Sequence, residues 1–356
     1  MNAIKVARIL RLARWLGPWA NDTSSPNRVG RRRIPLSTES GFYSLVYRTK
    51  RLPRQALLLL PGLHFEGPEH PSLDRFARIM ASVGYLVMVP RIRSFADLQI
   101  RPEAYDDAEQ ALGALRELPD YPVGGRTDLL SISFGSSLAI HLASRTSLQS
   151  QIRRVLIYGG FADWKKTMQF ALSGNATAKH DPLNRPVVYM NLLESFDVDG
   201  EAQVELIEAW GRFCRDTWGR EEMKIPYAAT RTAREIARRI HPSSQALFLE
   251  GCNVSSNPEE ADYRCLEALE RGDYSWLDQT AKFAKVSCPV TVIHGRDDDV
   301  IPYTQAEELF QSLNIEAQEQ MLISGLYAHT KAERPSPTET LKELSTLIGI
   351  LKALSL

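Results

Sequence analysis

The 356-residue sequence lacks long apolar runs and has few cysteines. No stretch approaches the roughly 18 uncharged apolar residues that a membrane-spanning helix needs. The four cysteines include no Cys-x-x-Cys pair, and they are too sparse for a disulfide-stapled secreted domain. We therefore expect no transmembrane span, and buried cysteines that carry reduced thiols.

The sequence also lacks net charge. Its 43 basic residues balance its 43 acidic residues, so the formal charge at pH 7 is zero. Without an overall positive field, the chain is not expected to bind nucleic acid or another polyanion. There is no evident internal repeat or low-complexity tract. The length fits one domain with a large insertion as well as it fits two domains.

The most informative stretch that is present covers residues 128–140. An apolar run leads into Ser131-x-Ser133-x-Gly135, and small residues with helical spacing follow. This order predicts a strand, a tight turn and a helix. A hydroxyl on such a turn stands above the sheet, and the first N–H groups of the helix point toward it. Ser133 is therefore a candidate nucleophile, although small residues at this turn could serve close packing alone.

The surrounding chain alternates strands and helices. Short apolar runs predict strands at 42–48, 56–60, 85–90 and 155–158, and helical spacing predicts helices at 72–83 and 102–118. This alternation indicates an α/β fold with a mostly parallel sheet and helices on both faces. Ser133 would then lie at the carboxyl end of a central strand, where open α/β sheets bind ligands.

The alternation of strands and helices stops between residues 163 and 287, where only helical patterns are found. The sheet is expected to resume at 289–293 and at 319–323, with a final helix at 338–353. We therefore predict a helical cap at 163–287 inserted into a core formed by 41–162 and 288–356. The cap is expected to contribute large apolar side chains to a pocket near Ser133.

Three further loops carry recognisable patterns. Pro61-Gly62-Leu63-His64 follows a predicted strand, and Gly62 allows its backbone to approach a ligand closely. Gly295-x-x-Asp298 is followed four residues later by Pro302, and His329 lies in the loop after the last predicted strand. Together with the Ser133 turn, these loops resemble the motifs of the α/β-hydrolase superfamily. In two places the sequence departs from those motifs: Ser131 replaces the first glycine of Gly-x-Ser-x-Gly, and Pro61 replaces the histidine of the His-Gly loop.

The resemblance implies a triad of Ser133, Asp298 and His329 in the order that the superfamily uses. Asp297 and Asp299 are the alternatives for the acid. The oxyanion hole would use the N–H of Phe134 together with that of Leu63 or, as second choice, His64. Neither a metal nor an organic cofactor is required.

The implied activity is hydrolysis of a carboxylic ester, with a small ester-like molecule as substrate and an acyl-enzyme intermediate. The same triad could instead act on an amide, a peptide or a carbon–carbon bond, or transfer the acyl group to another acceptor. A non-catalytic member of the fold that binds a small molecule is a further alternative.

Residues 1–40 lie outside this resemblance. The first twenty form an amphipathic basic pattern with Trp15 and Trp19, and 21–33 have the composition of an exposed linker. Arginines interrupt every apolar run, so a signal peptide is not expected. The helix could dock on the protein body or make a weak contact with an anionic membrane surface. We expect a cytoplasmic protein, peripheral at a membrane in the second case; the sequence does not indicate its oligomeric state.

Overall fold

A computed structural model describes residues 3–37, 41–174, 180–255, 257–325 and 337–355. Within these ranges, eight strands form one sheet in the order β1-β2-β4-β3-β5-β6-β7-β8. The strands are β1 Gly30–Pro35, β2 Tyr43–Arg48, β3 Gln55–Leu60, β4 Tyr85–Pro90, β5 Thr127–Ile132, β6 Ile152–Tyr158, β7 Val290–Gly295 and β8 Gln318–Ser324.

The sheet is mostly parallel, as the sequence predicted. Strands β4, β3, β5, β6, β7 and β8 pair in parallel, whereas β2 runs antiparallel to both β1 and β4. The central strands are buried on both faces, which is why they appear in the sequence as continuous apolar runs. Strand β5, which leads to Ser133, lies between β3 and β6 near the middle of the sheet.

One sequence interpretation was wrong in part. The composition of residues 21–33 predicts an exposed linker, but β1 begins at Gly30 and pairs with β2 at the edge of the sheet. Its residues are mostly exposed, so it has no alternation of apolar side chains to signal a strand. Arg31 instead pairs with Glu69 and Asp74, and the Arg33 guanidinium lies 3.4 Å from the centroid of the Tyr43 ring.

Helices cover both faces of the sheet. Those outside the segment between β6 and β7 are α1 Ala3–Leu16, α2 Pro71–Ser82, α3 Arg93–Ala96, α4 Glu103–Arg116, α5 Gly135–Ser144, α6 Thr146–Gln149, α14 Tyr303–Ser312 and α15 Pro337–Leu354. Helices α1, α2 and α15 contribute to one hydrophobic cluster, and α4, α5 and α14 contribute to the other. The sheet therefore has a core on each side.

Between β6 and β7 every regular element of the described chain is a helix, and we call this segment the helical insertion. Its helices are α7 Trp164–Ser173, α8 Arg185–Leu192, α9 Gly200–Thr217, α10 Pro226–Ala237, α11 Pro242–Gly251, α12 Pro258–Arg271 and α13 Thr280–Phe283. Most buried apolar residues of the insertion, Trp210 and Phe213 among them, belong to the same cluster as α4 and α5. The insertion therefore packs on the body of the protein through a shared core.

Helix α1 docks on the protein body. Leu12 is fully buried in the cluster formed with α2 and α15, and the Arg11 guanidinium donates a hydrogen bond to the Ser82 carbonyl at 2.8 Å. The outer face of the helix leaves Leu10 exposed. No helix among the described residues has the length and apolar character needed to cross a membrane.

A buried ionic cluster fixes the amino end of β5. The Asp128 carboxylate is fully buried and accepts hydrogen bonds from Arg153 Nε at 2.6 Å, Arg154 Nε at 2.9 Å and the Tyr85 hydroxyl at 3.0 Å. A buried carboxylate is tolerated only when it is paired in this way. The cluster ties β5 to β4 and β6, so the opposite end of β5 is presented in a fixed orientation.

Candidate active site

Ser133 occupies a strained turn between β5 and α5. Its φ is 51°, a left-handed conformation that residues other than glycine rarely adopt. The Ser133 N–H donates to the carbonyl of Tyr158 at 2.8 Å, which ties the turn to the end of the neighbouring strand β6. The turn therefore directs the Ser133 side chain away from the sheet, and the residue lines a cavity.

Two glycines allow the backbone to pack closely around this turn. A Cβ atom on Gly135 would lie 2.6 Å from the carbonyl oxygen of Pro61. A Cβ atom on Gly62 would lie 3.1 Å from Ser133 Cβ and 3.7 Å from Ser133 Oγ. Side chains at these positions would force the two loops apart, so the glycines bring the loop after β3 against Ser133.

The predicted oxyanion-hole residues lie around Ser133. Leu63 and His64 line the same cavity as Ser133, directly after Gly62. Phe134 immediately precedes α5, and its ring packs against Phe161 at a centroid distance of 5.1 Å. Within the described residues, neither the Leu63 N–H nor the Phe134 N–H donates a hydrogen bond in a backbone turn or cap.

Asp298 is held close to Ser133 on the far side of Gly159. A Cβ atom on Gly159 would lie 3.6 Å from Asp298 Oδ2 and 4.0 Å from the Ser133 nitrogen. Asp298 Oδ1 accepts hydrogen bonds from the N–H groups of Val300 and Ile301, both at 2.9 Å. One carboxylate oxygen thus fixes the loop, and the other faces the Ser133 turn.

The neighbouring aspartates are placed differently. Asp297 is exposed to solvent. Asp299 Oδ2 lies 3.6 Å from Lys224 Nζ in the helical insertion, and the Asp299 carbonyl accepts a hydrogen bond from Asp181 at 2.9 Å. Of the three side chains, that of Asp298 is the one whose contacts lie beside Ser133.

His294 is a residue of the site to which the sequence analysis gave no role. It is fully buried at the end of β7, and its Nε2 lies 2.8 Å from the Ile301 carbonyl and 3.5 Å from Asp298 Oδ2. Burial lowers the pKa of His294, and the Asp298 charge opposes that shift. A neutral ring that donates from Nε2 to Ile301 fixes the loop that carries Asp298. The signal available in the sequence was its position, directly before Gly295 in the acid loop.

His329 lies outside the described residues. The strand before it, β8, pairs with β7 through Ser324 and Gly295, and the Arg296 N–H donates to the Ser324 carbonyl at 2.8 Å. The chain therefore leaves β8 beside the loop that carries Asp298.

The possible metal ligands found among the described residues are His64, Glu66 and His70, whose ligand atoms lie within 4.8 Å of one another. However, His64 Nδ1 accepts the Glu66 N–H at 3.1 Å, and His70 Nδ1 accepts the Ser72 N–H at 3.2 Å. In a neutral ring the other nitrogen then carries the proton. A cation would have to displace these hydrogen bonds or protons, so the cluster is satisfied without one.

A cavity of about 410 Å³ opens beside Ser133. Apart from the loop after β3, its walls come from the sheet and from α1, α2 and α15. The sequence predicted that the insertion would supply apolar side chains to the pocket, but no described residue of the insertion lines this cavity. The prediction was wrong for this cavity because it lies on the opposite face of the sheet, in the core shared by α1, α2 and α15.

The insertion nevertheless touches the loops around Ser133. The Trp218 ring lies 5.6 Å from the His64 ring and 6.1 Å from the Phe65 ring, centroid to centroid. Trp164 packs edge-on against Phe134 at 6.3 Å. Together with the Lys224 contact to Asp299, these contacts place the insertion against the loop after β3, the Ser133 turn and the loop that carries Asp298.

Comparison with known proteins connects this architecture to a fold. No family model and no curated protein matches the sequence. The chain is similar to the acylaminoacyl peptidase of Pyrococcus horikoshii, with a TM-score of 0.50 and 14% identity over 92% of this chain and 42% of the peptidase. It is also similar to a Pyrococcus furiosus esterase, with a TM-score of 0.48 and 9% identity over 94% and 97% of the two chains. A further match is an alpha/beta hydrolase enzyme from a deep-sea metagenome library, with a TM-score of 0.46 and 12% identity over 91% and 96%.

This chain spans less than half the length of the peptidase. The similarity concerns the fold, since the identities are low. The mostly parallel sheet, the strained serine turn after β5 and the match to the peptidase agree with the fold that the sequence predicts: this chain has the α/β-hydrolase fold.

Proposed function

We propose that the chain is a serine hydrolase that cleaves a carboxylic ester through Ser133, Asp298 and His329. The observation that carries the proposal is the placement of Ser133 and Asp298. A serine is held at a strained turn at the carboxyl end of a central strand, and an aspartate carboxylate lies across Gly159 from it. Strain of this kind costs roughly 1–3 kcal/mol and is concentrated at functional sites.

His329 would act as the base. A serine hydroxyl is a weak nucleophile until its proton is removed, and the imidazole titrates near neutral pH. His329 takes the proton as Ser133 Oγ forms a bond to the ester carbonyl carbon, and it returns the proton to the departing alcohol. Water then attacks the acyl-enzyme in the same way and releases the acid. Asp298 orients the ring and stabilises the imidazolium.

The oxyanion of each tetrahedral intermediate would be bound by the N–H groups of Phe134 and Leu63, with His64 as the alternative to Leu63. The close approach of Gly62 to Ser133 supports this assignment, because it brings the next N–H groups toward the reacting carbonyl. One such donor contributes about 3 kcal/mol to transition-state stabilisation in comparable sites.

An alkyl fluorophosphonate probe tests the nucleophile without knowledge of the substrate. We expect it to label the wild-type chain and the Ser131→Ala variant, but not Ser133→Ala. Ser131 is a matched control, since it lies two residues earlier on β5, is fully buried and has an unpartnered hydroxyl among the described residues. Equal labelling of Ser133→Ala would assign the nucleophile elsewhere. No labelling of the wild type would favour a non-catalytic member of the fold.

The pH dependence should identify the base. Burial and the nearby His70 lower the pKa of His64 to about 4, so the His64 ring is neutral above that pH. An ordinary histidine titrates near pH 6.5, and a base is active only in its neutral form. If His329 is the base, we expect kcat/KM to fall as the pH drops through about 6.5. The acid limb should keep its position in His64→Asn. A limb near pH 4 that shifts in this variant would make His64 the base instead.

A further inference from the structure

The cavity at Ser133 continues along one face of the sheet as an apolar channel. Its floor is formed by Ile132 and Leu130 of β5, Tyr158 and Leu156 of β6, and Ile293 of β7. Residues two apart on a strand point to the same face, so the two pairs form a continuous surface that leads away from Ser133. The helices α1, α2 and α15 cover this face.

The chemistry of the lining changes along the channel. Polar side chains line it near Ser133, where His64, His70 and Ser72 contribute. The other lining side chains from the helices are apolar: Leu73 and Phe76 from α2, Leu16 from α1, and Ile350 and Leu354 from α15. No Lys, Arg, Asp or Glu is found among the described lining residues. The channel therefore suits an apolar group whose polar end lies at Ser133.

The depth of the channel limits the length of that group. Leu130 precedes Ser133 by three residues, which corresponds to about 10 Å along a strand. With a C–C bond of about 1.5 Å, an extended alkyl chain advances roughly 1.3 Å per carbon, so about eight carbons fit. The volume of about 410 Å³ lies within the range of small-molecule sites.

We propose that this channel binds the acyl chain of the substrate, a linear acid of about eight carbons, and that Leu16 of α1 forms part of its wall. The inference rests on the proposed function, because the ester carbonyl must lie at Ser133 for the acyl chain to enter. It adds a role for the N-terminal helix, which lies outside the hydrolase motifs. Helix α1 is a wall of the substrate site as well as a docked surface element.

Chain-length profiles test the channel. A fully buried methylene contributes about fourfold to binding, so p-nitrophenyl octanoate should exceed the butanoate in kcat/KM by on the order of 100-fold. Leu16→Trp should remove most of this preference, because the larger ring fills part of the channel. Ile9→Trp is the matched control, since Ile9 lies on the same helix, is also half-buried against the same core and does not line the channel.

A second variant keeps the test decisive if Leu16→Trp does not fold. Phe76→Ala should widen the channel and reduce the preference for octanoate over butanoate, because fewer apolar atoms then contact the acyl chain. Unchanged chain-length preference in a folded Leu16→Trp or Phe76→Ala variant would overturn the proposal.

Octanoate binding to an inactive variant tests the channel proposal independently of the proposed catalytic residues. Calorimetry should detect octanoate binding to Ser133→Ala, with affinity at least tenfold weaker in Ser133→Ala combined with Leu16→Trp. Octanoate binding to a chain that cleaves no ester would retain the channel and reject the hydrolase. Ester hydrolysis with neither chain-length preference nor octanoate binding would retain the hydrolase and reject the channel.

Discussion

Ser133→Ala is expected to lower kcat/KM on p-nitrophenyl octanoate by about 10⁴-fold or more, because loss of a triad nucleophile removes the acyl-enzyme route. His329→Ala should have a loss of the same order, since the two residues act as a unit. Initial rates, with circular dichroism to confirm folding, measure both effects.

The control for this result is Ser131→Ala, which is expected to retain activity within a few-fold. Its hydroxyl is buried and has no partner among the described residues, so its removal leaves no hydrogen-bond donor or acceptor unsatisfied there. Turnover of Ser133→Ala or His329→Ala within tenfold of the wild type would exclude that residue from the triad.

Asp298→Asn should also reduce turnover by about 10⁴-fold, although it preserves the size of the side chain. An amide at this position cannot stabilise the imidazolium and favours the wrong tautomer of the base. Asp297→Asn and Asp299→Asn are matched controls in the same loop, and we expect each to retain activity within about tenfold. Asp297 is exposed, and Asp299 faces Lys224 rather than Ser133.

Ranking the three variants by kcat/KM shows which of the three aspartates acts as the acid. If Asp297→Asn or Asp299→Asn has the largest loss, the acid is that neighbour, and the position of Asp298 beside Gly159 is incidental. The unfolding midpoint of Asp298→Asn should be measured as well, because its carboxylate also accepts the N–H groups of Val300 and Ile301.

The sequence predicts those parts of the fold in which burial produces a recognisable pattern of apolar or small residues along the chain. Strands β3, β4 and β5 are buried on both faces, so each appears as a short apolar run. The Ser133 turn is marked by small residues because Gly135 packs against the Pro61 carbonyl. Glycine and proline on either side of the three aspartates selected Asp298, the one whose contacts lie near Ser133.

Other features depend on contacts that leave no local pattern. The apolar residues of helix α11, Pro242–Gly251, show little segregation to one face, so its packing leaves no amphipathic pattern in the sequence. The channel is formed where α1 meets α15, from opposite ends of the chain, and no spacing in either helix indicates a cavity between them. His294 became interpretable only once its ring was found between Ile301 and Asp298.

Strand β1 also affects whether the sheet of one molecule can pair edge to edge with the sheet of another. An exposed sheet edge presents unpaired N–H and C=O groups that can recruit a strand from another molecule and begin aggregation. Here the edge is Gly30–Pro35, with three consecutive arginines followed by a terminal proline. Like charges oppose stacking of this edge against its own copy, and proline cannot donate to a new ladder. The arginines that give the segment the composition of a linker thus also make this edge of the sheet a poor partner for a second copy of itself.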